Sequence, residues 1–261
     1  MIRRTTILVT LLLVACGKHD GNDPSQPLHA APERLVVIFA DVTGSLTLEQ
    51  VVSVQTHVQR IIMKLPPHTI VHVFSIGQDT ETAREIATDT TPPDDYAGAG
   101  ADNGLIQWRA TLATTVHEKL EQLYENRGNT EPTTLSSCIT TALRRTAGLA
   151  AHTTRRLDMV IVSDMIEECE NSLLGGSASL MKRNIDKEIQ SASQIKGQPP
   201  DLRRATVTLV RPQFNVSTAA QSNQPSAADV ERFWRELLAH CNTDTKQVSF
   251  GADVPDELFS K

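Results

Sequence analysis

The chain has 261 residues, a net charge of −6 and only 4% aromatic residues. That balance argues against a nucleic-acid binder, which needs a basic face, and so few rings leave little for stacking on bases or sugars. The eight histidines show no HExxH spacing and no cysteine pair shows CxxC spacing, which argues against the common zinc sites.

The chain begins with a basic pair, Arg3 and Arg4, and an apolar run over residues 7–14 broken only by Thr10. The run is shorter than the roughly 20 residues that cross a bilayer, so it reads as an export signal. Leu13-Val14-Ala15-Cys16-Gly17 follows and resembles a bacterial lipobox. The resemblance implies cleavage before Cys16 and lipidation of its thiol, which anchors the chain without spanning the membrane. Gly17 after the cysteine fits the outer membrane of a Gram-negative envelope. Residues 1–15 are thus the expected signal. Residues 16–33, rich in Asp, Gly, Asn, Pro, Ser and Gln, are a tether too polar to order itself. Residues 34–261 are long enough for one α/β domain.

That domain opens on residues 35–46, LVVIFADVTGSL. The unbroken apolar run predicts a strand buried on both faces, ending at Asp41 and the hydroxyls of Thr43 and Ser45. Thr47-Leu48-Glu49-Gln50 is a capping box, and Val51, Val54, Val58, Ile61, Ile62 and Leu65 then recur at helical spacing until Pro66-Pro67. Residues 69–76 alternate as a strand. Residues 78–102 read as a loop with a short edge strand near 83–87. A second helix spans 105–127, and a third carries Ile139, Ala142, Leu143 and Ala147. Residues 157–163 form another buried strand, ending at Asp164. Met181, Ile185 and Ile189 mark a fourth helix, and residues 205–210 a further strand. Ser226 caps the last helix, which carries Cys241, and residues 247–250 form the last strand. Strands alternating with helices predict a three-layer, Rossmann-like α/β fold, with a mostly parallel central sheet and helices on both faces. Ligands in such folds sit at the carboxyl edge of the sheet, and oxygen ligands there suit a hard cation.

In this setting Asp41-Val42-Thr43-Gly44-Ser45 resembles the first loop of a von Willebrand factor A-type domain, whose pattern is Asp-x-Ser-x-Ser; Thr43 keeps the hydroxyl and adds a methyl. Asp164 fits the Asp that the family carries at the end of a later buried strand, although Met165 stands where Gly is usual. The family's second loop gives a Thr before a helix like Ile139-Thr140-Thr141-Ala142-Leu143. Counting lands on Ser137, with Thr133 and Thr134 as alternatives. The resemblance spans residues 33–253.

It implies a metal-ion-dependent adhesion site holding one Mg²⁺ or Mn²⁺ with Asp41, Thr43, Ser45, Ser137 and Asp164. A protein partner offering a carboxylate would fill a remaining position. Helix capping by Asp41 and Ser45 is the plainer alternative. Glu167 and Glu168 read as a solvated loop. If both loops line one metal, Cys138 and Cys169 come within disulfide reach, about 4.4–6.8 Å between Cα atoms, leaving Cys241 as a buried thiol. A bridge to Cys241, or free thiols throughout, stays open.

The expectation is a non-enzymatic, lipid-anchored envelope module for protein contact. An alternative from another class is a haloacid-dehalogenase-type phosphatase with Asp41 as nucleophile, for which Thr43 stands where the second acid is needed. Another is the same fold without its metal.

Overall fold

The computed structural model describes residues 34–43, 46–77, 85–92, 101–126, 137–169, 178–179, 186–187, 198–212 and 225–259. Its central strand, β1 (Arg34–Asp41), is buried along its whole length. It pairs in parallel with β2 (Thr69–Ile76) on one side and with β4 (Arg156–Val162) on the other. A strand in that position has helices over both faces, which is why its sequence is apolar throughout rather than alternating.

The sheet runs β3-β2-β1-β4-β7-β8, with β3 at Glu85–Thr90, β7 at Ala205–Val210 and β8 at Val248–Gly251. Neighbouring strands are parallel except β2 and β3. A separate ribbon pairs β5 (Glu168–Cys169) with β6 (Ala178–Ser179).

Side chains alternate along β1 and so feed two cores. Leu35, Val37 and Phe39 pack with Ile139, Leu143, Phe233, Trp234 and Leu237 on one face. Those residues come from α3 (Ile139–Ala151) and α4 (Ala227–His240). Val36, Ile38 and Ala40 pack on the other face against α1 (Leu48–Lys64) and α2 (Ala101–Asn126). Burying a Val or Ile side chain contributes about 1.5–3 kcal/mol. The α1 stripe of Val51, Val54, Val58, Ile61 and Ile62 is therefore a main attachment of that layer.

The capping box forms as the sequence predicts. Thr47 N–H donates to the Gln50 side chain at 2.7 Å, and Gln50 N–H donates to the Thr47 hydroxyl at 3.3 Å. Two helix-end amides are thereby satisfied, so the chain turns directly from the Asp41 loop into α1.

Other elements differ from expectation at their ends. The edge strand lies at Glu85–Thr90 rather than 83–87. α2 starts one turn before Leu105, so residues 101 and 102 are helix, not loop. The expected fourth helix falls mostly outside the described residues, although Asp186 and Lys187 are helical. Residues 1–33, with Cys16, also lie outside them. No helix among the described residues is long and apolar enough to cross a membrane.

The amino edge of the sheet is closed by charge. Asp158 is fully buried. It accepts Nε of Arg34 at 2.5 Å and Nε of Arg156 at 3.3 Å. Arg34 also donates to the Leu258 carbonyl, pinning the C-terminal turn beneath β1.

Candidate metal centre

The opposite, carboxyl edge is built from the same register. Phe39 faces Ile161 and Ala40 faces Val162 across β1 and β4. One step further Asp41 stands beside Ser163, and parity puts both on the face covered by α3. The Ser163 hydroxyl donates to Asp41 Oδ2 at 2.7 Å. Ser137, just before α3, donates to the same oxygen at 2.8 Å. Thr43 donates to Oδ1 through its hydroxyl at 2.7 Å and its amide at 3.1 Å. Asp41 has no exposed surface, and Ser137, Ser163 and Thr43 are buried with it.

Asp164 follows Ser163 and is 9% exposed. Its Oδ1 accepts the Ile166 amide at 2.9 Å, which closes the loop after β4. Met165 between them has φ of 64°, a left-handed conformation. A non-glycine residue there carries backbone strain of about 1–3 kcal/mol, which accounts for the Gly that the resemblance expects at this position. The loop is held from two sides. Met165 N–H donates to the Ser163 hydroxyl at 2.9 Å, and the Met165 carbonyl accepts the Trp234 indole N–H at 2.9 Å.

Glu167 corrects the sequence reading. It is not solvated but fully buried. Its carboxyl group accepts the Thr140 hydroxyl at 2.7 Å and the Thr140 amide at 3.1 Å. Burial pushes its pKa from the usual 4.5 to about 7, against the lowering effect of the hydrogen bonds from Thr140 and Ile139; the charge of Asp41 adds to the rise. Arg211 lies one residue past β7 and is half-buried. Burial lowers its pKa, while the charge of Asp164 acts the other way.

The structure thus brings together Asp41, Thr43, Ser137 and Asp164 from three separate segments. Ser45 lies outside the described residues, as do Thr133 and Thr134; Ser137 is the hydroxyl from the segment before α3 that reaches Asp41. Sequence reasoning missed Ser163, although its strand parity with Asp41 was available. Among the described residues no group of three or more His, Cys, Asp or Glu is placed to hold a metal. The donor set at this edge is of another kind, hydroxyls around two carboxylates, and all-oxygen donors fit Mg²⁺ or Mn²⁺. No second acid stands at position 43, where Thr43 is a donor to Asp41 rather than a proton-transfer partner.

Cys138 is disulfide-bonded. The side chain of Cys169, the expected partner, is not among those described, and no complete disulfide pair is seen among the described residues. Cys241 is free and buried, and burial pushes its thiol up to about 12.

The Asp ending the central strand, the hydroxyl before α3 and the Asp following β4 meet at one sheet edge. No protein-family model matches the chain, and no curated protein matches it. Solved structures with a similar fold include the pilus adhesin SpaC from Lactobacillus rhamnosus GG, at 9% identity and TM-score 0.45 over 88% of this chain. A von Willebrand factor type A protein from Catenulispora acidiphila matches over 88% of this chain at 13% identity and TM-score 0.44. The ArnB paralog VWA2 from Sulfolobus acidocaldarius matches over 88% at 7% identity and TM-score 0.41. The aligned part is 29%, 40% and 44% of those chains, respectively.

Proposed function

We propose that this chain is a lipid-anchored von Willebrand factor A-like binding module of the bacterial cell envelope. It holds one Mg²⁺ or Mn²⁺ at the carboxyl edge of its sheet and engages a carboxylate on a protein partner there. The observation that carries the reading is Asp41: a fully buried carboxylate whose hydrogen-bond donors are three hydroxyls and one amide, with no basic side chain among them. A buried carboxylate is costly unless a positive charge compensates it. The neighbouring Asp164 deepens that negative field.

Thr43 and Ser137 would turn their oxygens from Asp41 to the ion, with Ser45 as the further hydroxyl of the first loop. Asp41 and Asp164 would ligate directly or through water. The ion supplies an electrophilic position that an acidic side chain can occupy, while this chain's residues fix its place.

Calorimetry on the full chain in detergent tests the site. Mg²⁺ or Mn²⁺ gives one-site heat with the native chain and none with Asp41→Ala. Equal heats in both remove the metal from the account. For the anchor, Cys16→Ser moves the protein from the membrane fraction to the soluble one; unchanged fractionation removes the lipid.

A further inference from the structure

We propose that Glu167 is a positioning residue for this edge site and that its proton leaves when a divalent cation binds; the proposal rests on the cation reading above. The geometry is that of a cross-brace. Glu167 sits three residues after Asp164, and Thr140 sits three residues after Ser137. Through two hydrogen bonds to Thr140, one buried carboxyl group ties the segment bearing Asp164 to the start of the helix that follows Ser137. Ser137, two residues before that helix end, donates to Asp41 at 2.8 Å, so the brace bears on its position.

The charges around Glu167 oppose one another. From β1, Asp41 favours its protonated form. From α3, the Ile139 and Thr140 amides and the Thr140 hydroxyl favour the ionised form. Asp164 lies on its own segment, with Arg211 from the end of β7 acting on Asp164. A dication placed at Asp41 turns the repulsion from β1 into attraction, which joins the donors of α3 in favouring the ionised form against burial. The carboxyl O–H bond then breaks, the proton passes to solvent, and the carboxylate remains on the Thr140 donors. By linkage, the same coupling makes cation binding tighter as pH rises through neutrality.

Titration calorimetry of the full chain with MgCl₂, in buffers of different ionisation enthalpy, reads this directly. Near pH 7 the native chain releases about half a proton per ion, because a group with its midpoint there is half protonated. Affinity rises about fivefold between pH 6 and pH 8 if binding moves that midpoint from about 7 to about 6. Glu167→Gln still binds Mg²⁺, but without proton release and without the pH dependence; a purely structural glutamate would lower affinity and leave the profile unchanged. If Glu167→Gln does not fold, Thr140→Val serves, since losing the hydroxyl donor moves the profile to higher pH. Binding by the native chain with buffer-independent heat overturns this proposal alone, as does an unchanged profile in the variants. Absence of Mg²⁺ binding at every pH overturns the cation reading and this proposal together.

Discussion

The two edges of the central sheet each bury an aspartate, and they neutralise it differently. At the amino edge Asp158 meets Arg34 and Arg156. At the carboxyl edge Asp41 meets hydroxyls and an amide. The first arrangement is complete within the chain, because each charge finds its opposite and Arg34 is further anchored on the Leu258 carbonyl. The second leaves a net negative charge in a dry place. The two ends of the strands therefore differ in kind. One closes the fold with paired charges, and on the proposed reading the other keeps its charge for a cation.

The contrast is broken most directly by removing each aspartate in turn. Asp158→Ala leaves Arg34 buried and unpaired, and losing one partner of such a pair costs about 3–5 kcal/mol. Urea denaturation measures it; a loss below about 1 kcal/mol would put the amino edge on the same footing as the carboxyl edge. Next in size is a pH effect without added cation. The folded pKa of Glu167 is raised from 4.5 to about 7, so the unfolded chain gives up that proton first. Its contribution to stability is whole below about pH 4.5, falls as pH rises to about 7, and is level beyond; the drop is on the order of 3 kcal/mol. Denaturation midpoints across that range record the slope, and Glu167→Gln removes it. A slope that survives the substitution has another source. The smallest effect is that of Asp41→Asn in cation-free buffer. The change deletes a charge and leaves one accepting oxygen in place of two. Hydroxyls facing the new amide N–H can turn to accept from it, so stability moves by no more than about 1 kcal/mol, in either direction. A loss as large as that at Asp158 would mean that Asp41 serves the fold and not a ligand.

The carboxyl side of this contrast was legible in the chain itself. The burial of Asp158 between Arg34 and Arg156 was not, because only the pairing of two strands far apart in sequence brings Arg34 to it. The two-sided apolar run of β1 announces a central parallel strand, and the Thr47–Gln50 box fixes where the next helix starts. The Asp at each strand end then follows from where those runs stop. Ser163 escaped because it looked like the last residue of a strand, although its parity with Leu157, Met159 and Ile161 puts it on the face of Asp41. Glu167 escaped for a stronger reason. A charged residue after a strand is ordinarily solvated, and only the distant start of α3 landing on it makes it buried. The two-residue strands β5 and β6 carry no period long enough to read. The added turn of α2 lies over Ala101, Asp102 and Asn103, where no apolar stripe marks a helix.

The bond from the Trp234 indole to the Met165 carbonyl has an optical consequence. The chain has only two tryptophans, and one of them is tethered to the peptide next to Asp164. Any rearrangement of that peptide alters the hydrogen bond and hence the emission of Trp234, while Trp108 on α2 stands over the opposite layer. A Trp108→Phe chain would carry an intrinsic fluorophore whose colour follows the conformation of that peptide, with no label attached.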